Sequence, residues 1–323
     1  PLSCTQTTPA EIRIVLLGKT GSGKSSAGNV ILGEEKFKAE SSPNSVSTDC
    51  QTEEGNLNGR KITVTDTPGI FDTEKPEKDL KHSIISCLTE CAPGPHVFIL
   101  VMRVGRYTKE EKDSVKMILQ NFGEEALKHT VVLFTHGEDL GKKMTIEEFA
   151  EKNKDLKALV DKCGGRVHVI DSTHWNKKVN EYRSNSFQIN QLLTTIDTIV
   201  RENGDRHYTN ETLQATAKAT KIEENRIKEE LNERGEKAEE YEIKKQAREG
   251  VKANISTSLT GMATGALLGA LLGLPVGATI AELLVAGVIA GTAGGAGAGV
   301  TAGTAGGAGA GVTAGTAGGL GAG

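Results

Sequence analysis

The sequence predicts an α/β fold in which a mostly parallel sheet flanked by helices presents a P-loop, followed by a helical extension and a Gly-rich hydrophobic tail. Three observations carry this expectation. Gly18-Lys19-Thr20-Gly21-Ser22-Gly23-Lys24-Ser25 fits G-x-x-x-x-G-K-[ST], between a β-like apolar run (Ile12 to Leu17) and a helix-like one (Ser26 to Leu32). Two near-continuous apolar runs, His96 to Met102 and Thr130 to Phe134, read as buried parallel strands. Beyond Lys252 the charge all but vanishes and glycine becomes periodic.

A chain of 323 residues holds one such domain and a substantial appendage. The net charge of −4 gives no reason to expect nucleic acid as a partner. Cys4, Cys50, Cys87, Cys91 and Cys163 contain no C-x-x-C, so they read as reduced thiols rather than a zinc site or a disulfide framework. Cys87 and Cys91 lie four apart, on one face if that segment is helical. Residues 1–10 are expected to be disordered, and the polar start carries no signal-peptide pattern.

The P-loop sets the chemistry. Phosphates hold water tightly, so a site must replace that water with many donors at close range. Glycines let backbone N–H groups approach, and a helix start adds partial positive charge. Lys24 is placed to reach the β- and γ-phosphates and Ser25 to ligate Mg²⁺. After a polar stretch, Glu34 to Ser45, where a γ-phosphate-sensing loop would sit, Cys50 to Leu57 and Lys61 to Thr65 read as two strands around an Asn58-Gly59 turn. The second strand runs into Asp66-Thr67-Pro68-Gly69: an acid at a strand end beside a P-loop is placed to hold Mg²⁺, and Gly69 to offer its N–H to a γ-phosphate.

Thr108 to Phe122 has an N-cap and helical apolar spacing. Thr135-His136-Gly137-Glu138-Asp139 follows a strand, where Asp139 could accept the N1 and N2 donors of guanine and so reject adenine. The usual Asn-Lys-x-Asp pattern is only half present. Val167 to Ile170 reads as the last strand, ending in Asp171-Ser172 at a base-contacting loop, and Phe187 to Val200 as a closing amphipathic helix.

Gly18 to Asn29, Asp66 to Phe71, Ala92 to His96, Gly105 to Thr108, Phe134 to His136 with Glu138 to Leu140, and Cys163 to Arg166 together resemble the AIG1-type immunity-associated GTPases, the GIMAP family. The resemblance covers about residues 11 to 210. It implies a Ras-like G domain over 11–204, GTP/GDP and Mg²⁺ as ligands, and nucleotide-dependent dimers on membranes. Carried over, Gly18 to Ser26 hold phosphates, Asp66 and Gly69 sense the γ-phosphate, and His136, Glu138, Asp139 and Asp171 lie at the base. Where the family usually has Thr in its first switch, this chain has Ser47, with Thr48 the nearby alternative; Ser25, Ser47 and Asp66 are the expected metal ligands. Gly137 offers no side chain to the purine, and Asp171 stands where the family tends to have Asn.

Ile70 follows Asp66-Thr67-Pro68-Gly69, not the Gln that many GTPases use to orient water, so slow intrinsic hydrolysis is expected. Lys24 and Arg106 are the candidate catalytic residues, Arg106 as a finger supplied across a homodimer, with Arg103 second. A solvated or salt-bridged Arg106 is the plain alternative. A GTP-gated oligomeric scaffold with negligible turnover is the rival function. A P-loop ATPase or kinase is disfavoured by Asp139 and by the lack of an identifiable acceptor site.

Lys221 to Glu249 interleaves Glu, Lys and Arg and predicts a long solvated helix or short coiled coil, within a charged extension over 205–250. Glycine then recurs at Gly261, Gly265, Gly269, Gly273 and Gly277, and Gly291 to Ala302 repeats as Gly303 to Ala314. In water each helical glycine costs about 1 kcal/mol relative to alanine, whereas lipid forces the helix. A membrane hairpin over 251–290 is therefore expected, turning at Leu274 to Gly277, with residues 253–274 long enough to span. Basic residues Lys244, Lys245, Arg248 and Lys252 place the G domain on the cytoplasmic face of an intracellular membrane, or in the cytosol if the tail does not insert. The Gly/Ala/Thr repeat over 291–323 is left open between embedded and disordered.

Overall fold

The computed structural model of the protein describes residues 11–38, 49–57, 59–72, 75–141, 143–175, 181–258 and 262–273. A six-stranded sheet has the order β2-β3-β1-β4-β5-β6. Its strands are β1 (Glu11–Leu17), β2 (Gln51–Leu57), β3 (Arg60–Asp66), β4 (Val97–Arg103), β5 (Thr130–Thr135) and β6 (Val167–Val169). All neighbours pair in parallel except β2, which runs antiparallel to β3 from Gln51 opposite Asp66 to Leu57 opposite Arg60. A P-loop after the central β1 and one antiparallel edge hairpin make this a Ras-like G domain, as predicted.

Alternation along β1 feeds two cores. Ile12, Ile14 and Leu16 face one side, with Ile99 and Val101 of β4. There α1 (Lys24–Leu32) and α7 (Asn185–Glu202) cover them through Ile31, Ile189, Leu192 and Ile196. Val15 and Leu17 face the other side with Phe98, Leu100 and Phe134. That side is covered by α2 (Glu77–Cys91), α3 (Lys109–Asn121), α4 (Glu124–Lys128), α5 (Ile146–Glu151) and α6 (Lys154–Lys162). The N-cap expected at Thr108 is a full capping box, in which Glu111 Oε2 accepts from the Thr108 N–H at 2.9 Å.

The extension departs from expectation twice. The charged stretch is not one long helix. It is a helical hairpin of α8 (Glu211–Arg234) and α9 (Glu240–Ser258), broken where Gly235 takes φ 68° and sealed by Ile227, Ile243 and Ala247. Glycine adopts that left-handed backbone without a Cβ clash, so the helix ends there. Nor do residues 253–274 form one spanning helix. α9 ends at Ser258, and a separate short helix, α10 (Thr264–Leu272), follows.

Leu267, Leu268, Leu271 and Leu272 of α10 are buried in the same core as α2 and α3. Asn210 Nδ2 donates to the Ala270 carbonyl at 3.0 Å, and the Gly123 N–H donates to Leu272 O at 2.9 Å. The apolar residues of α10, read as part of a lipid-facing stretch, pack against protein instead. No helix among the described residues is long and apolar enough to cross a membrane. The rest of the expected hairpin (274–290), the repeat 291–323 and residues 1–10 lie outside the described residues.

Candidate functional site

The site lies at the carboxyl ends of β1 and β3, where adjacent parallel strands open towards one edge. Gly23, at φ 85°, takes the N-cap position of α1 and turns the loop into the helix. Lys24 is 7% exposed, and its Nζ donates across the loop to the Lys19 carbonyl at 3.0 Å. Burial pulls its ammonium below the usual lysine range, while Asp66 pushes the other way. A desolvated cation beneath an open loop is poised for an anion, since charge lost from water is regained on the ligand.

The Ser25 hydroxyl donates to Asp66 Oδ2 at 2.5 Å, linking the first turn of α1 to the end of β3. Burial raises the Asp66 carboxyl above its ordinary value, with Lys24 and Ser25 opposing that. Asp66 Oδ1 and Ser22 Oγ are buried with no hydrogen-bond partner among the described residues. Buried oxygens are rarely left so. Hard oxygen donors at this spot fit a hydrated Mg²⁺ beside a phosphate, with Ser25 and Asp66 the residues able to hold it. Ser47, the third expected ligand, lies outside the described residues, as does Thr48.

Gly69 packs directly on the P-loop: a Cβ there would sit 2.4 Å from Thr20 Oγ1 and 2.6 Å from Thr20 N. Only a residue without a side chain permits that approach. Lys19 is held outward by an ion pair with Glu111 of α3 at 2.9 Å. Ser26 lies half-buried on α1 and lines a cavity of about 510 Å³ with Asn29, Ser172 and Asn185. Ile70 is 0% exposed, packed in the core rather than facing the loop.

The loops after β5 and β6, expected to meet the base, form a second cluster. His136 has φ 58° and its Nδ1 lies 3.0 Å from Thr135 Oγ1. Asp139 is exposed and paired with Arg103 at 3.6 Å. Glu138 is exposed, but its N–H donates to Asp171 Oδ2 at 3.0 Å. Asp171 corrects its expected role. It is fully buried, and its carboxylate also accepts from the Thr173 N–H at 2.8 Å and the His174 N–H at 2.5 Å. Filled by three backbone donors, it clasps the two loops together instead of facing a base.

Glu138, Asp171 and His174 bring ligand atoms within 4.8 Å of one another, yet the same donors already occupy Asp171. Trp175 was missed from sequence. Its ring leaves so little room that a Cβ on Gly137 would lie 2.5 Å away, which is why this position carries glycine. Arg106 is exposed in the loop after β4 and makes no ion pair among the described residues, while Arg103 is committed to Asp139.

Comparison with known proteins bears on the same region. The AIG1 family model matches residues 12–229. The chain is 38% identical over 201 residues to GTPase IMAP family member 8 of Homo sapiens, covering 62% of this chain and 29% of that protein. It is 34% identical over 201 residues to immune-associated nucleotide-binding protein 10 of Arabidopsis thaliana, covering 61% and 42%. It thus spans less than half the length of either relative. Among solved structures, Toc33 from Arabidopsis thaliana in complex with GDP and Mg²⁺ is similar at TM-score 0.48 and 20% identity, over 60% of this chain and 86% of that one. With a family match that runs from β1 into α8 and takes in the P-loop, Asp66 and the base-side loops, the chain belongs to the AIG1 family.

Proposed function

We propose that this chain is a GTP-binding switch that hydrolyses GTP slowly and turns over faster when two G domains meet. The observation that carries the reading is the triad of Lys24, Ser25 and Asp66, with two buried oxygens left without partners beside the P-loop. Backbone N–H groups from Gly21 to Ser25 and the start of α1 bind the phosphates, and Lys24 neutralises the β- and γ-oxygens. Ser25 and Asp66 would hold Mg²⁺, which would supply positive charge to the phosphates. Gly69, tight against Thr20 of the P-loop, is the residue whose N–H would meet a γ-phosphate. Asp139 exchanges Arg103 for the N1 and N2 donors of guanine, and His136 lies along the base.

Slow turnover follows from Ile70. Buried in the core, it orients no water, so the missing transition-state charge has to come from another protomer. Arg106, exposed near the P-loop side, is the residue proposed to supply it. The same burial of Ile70 favours the second reading, a GTP-gated oligomeric scaffold with negligible turnover. Attachment to the cytoplasmic face of a membrane is proposed only through residues beyond Gly273, because α10 is committed to the core.

The test is competition of GTP against ATP, then hydrolysis per protomer against protein concentration. GTP preference with a rate that climbs with concentration, and stays flat in Arg106→Ala, is expected. Equal affinity for ATP overturns the guanine reading. A flat near-zero rate with tight GTP binding selects the scaffold.

A further inference from the structure

Cys50 Sγ lies 3.3 Å from Cys87 Sγ, and the backbone holds the pair together. The Cys50 N–H donates to Ser86 Oγ at 3.0 Å, so the residue before β2 is pinned to α2 one position from the facing thiol. Its neighbour Asp49 is tied to the same helix through His82 at 3.1 Å and to α9 through Lys252. A disulfide needs the sulfurs about 2.05 Å apart, a closure of about 1.2 Å. We propose that Cys50 and Cys87 are a reversible oxidation site, closed by glutathione disulfide, that ties the entry to β2 to the helix following the Asp66–Gly69 segment.

The two thiols are unequal. Cys50 is half-buried and Cys87 fully buried. Burial pushes the Cys87 thiol well up, so Cys50 meets the oxidant first. Cys50 gives its proton to solvent, its thiolate attacks one sulfur of glutathione disulfide, and one glutathione thiolate leaves. The Cys87 sulfur then attacks Cys50 of this mixed disulfide. The second glutathione departs as thiolate and takes the Cys87 proton. Two protein thiols are oxidised and one glutathione disulfide is reduced to two glutathiones.

The consequence rests on the GTP reading. Residues 39–48, which contain Ser47, end just before Asp49, and α2 begins shortly after Gly69. On that reading a γ-phosphate acts on both segments, and the cross-link joins the residue that follows the first to the helix that follows the second, whatever the nucleotide state. Oxidation is therefore expected to slow GDP release several-fold.

The experiment exposes the 323-residue chain to glutathione disulfide, blocks free thiols, and maps peptides by mass. Expected is a Cys50–Cys87 linked peptide, reversed by glutathione and absent in Cys50→Ser. Only a glutathione adduct on Cys50, or linkage of Cys50 to Cys91 or Cys4, overturns the site. This map needs no nucleotide, so it stands apart from the GTP reading. Release of a fluorescent GDP is then timed in oxidised and reduced protein. Equal rates in a sample mapped as cross-linked overturn the coupling, whereas failure to bind GDP in the reduced state would sink the GTP reading and leave the oxidation site intact.

Discussion

The Ser25 hydroxyl sits 2.5 Å from Asp66 Oδ2, a bond that joins the first turn of α1 to the end of β3 while the other Asp66 oxygen has no partner among the described residues. One carboxylate thus supports the P-loop helix and keeps an oxygen in reserve. Because burial raises the Asp66 carboxyl, its charged form is a cost to the ligand-free fold. The penalty is absent below the unfolded value of about 4 and complete once pH exceeds the raised folded value. Asp66→Asn should therefore leave the ligand-free protein at pH 7 as stable as the parent, or about 1 kcal/mol more so, by denaturant titration. The same variant should bind GTP equally with and without Mg²⁺. A marked loss of ligand-free stability would show that the carboxylate serves the fold.

Asp139 and Arg103 are both about half exposed, and their 3.6 Å pair is worth at most about 1 kcal/mol to stability. Asp139→Ala should leave the melting temperature nearly unchanged yet weaken GTP by about 10²-fold, since guanine then loses a charged acceptor for two donors. Arg103→Ala should hold GTP at least as tightly as the parent, because it removes a competitor for Asp139. Calorimetric titration of the two variants with GTP separates these effects. Equal losses in both would mean that Arg103 contacts the nucleotide.

Gly137→Ala forces a methyl group to within 2.5 Å of the Trp175 ring, and the chain has one tryptophan to report on it. A ring shift costing about 1–3 kcal/mol is expected. Its signature is a red-shifted Trp175 emission with a lower unfolding midpoint. An unchanged spectrum would mean that the base-side loops are looser than this packing requires.

Leu271 is 1% exposed in α10, packed with the α2 and α3 side of the core. Leu271→Ala should destabilise the protein by about 2–5 kcal/mol. Were α10 a lipid-facing helix that hangs free in water, the unfolding midpoint would not move.

His96 is buried, with its Nδ1 accepting the Arg13 N–H at 3.0 Å. Burial first, then the Arg13 charge, push its pKa down to about 3. The unfolded ring takes up a proton near 6.5, so the stability held by the neutral ring is present above that pH. It is lost on acidification at up to about 1.4 kcal/mol per pH unit, until the folded value is reached. His168, lowered by burial to about 4, works in the same direction. His96→Asn keeps an acceptor for Arg13, so its stability should fall less steeply between pH 6.5 and 4.5 (about one ionisation fewer). An identical slope would show that His96 does not titrate on unfolding.

The P-loop, the Asp66 strand end, the β2–β3 hairpin and the buried strands were legible because each is written in contiguous residues. Helix α2 was not foreseen, although Pro76 before Glu77 and apolar Leu80, Ile84, Leu88 and Cys91 at helical spacing offered a signal. Gly235 is a poor helix residue within the charged stretch, but only the pairing of Ile227 with Ile243 and Ala247 turns the break into a hairpin. Asp171 looked like a base contact because an acid at a strand end fits either role; its three backbone donors come from two separate loops.

By itself the sequence determined the phosphate-binding chemistry, since a P-loop's backbone turns and its lysine depend on spacing within a few residues. It determined the parallel strands as well, through near-continuous apolar runs such as those of β4 and β5. Tertiary structure alone decided where the apolar helix α10 goes. Periodic glycine and leucine suit a lipid neighbour and a protein neighbour equally, because burial rewards removal from water and does not specify what replaces it. The partners that settled it, Tyr208 with Asn210, Gly123 and the apolar faces of α2 and α3, lie far away in the chain, and so does Cys87 from Cys50.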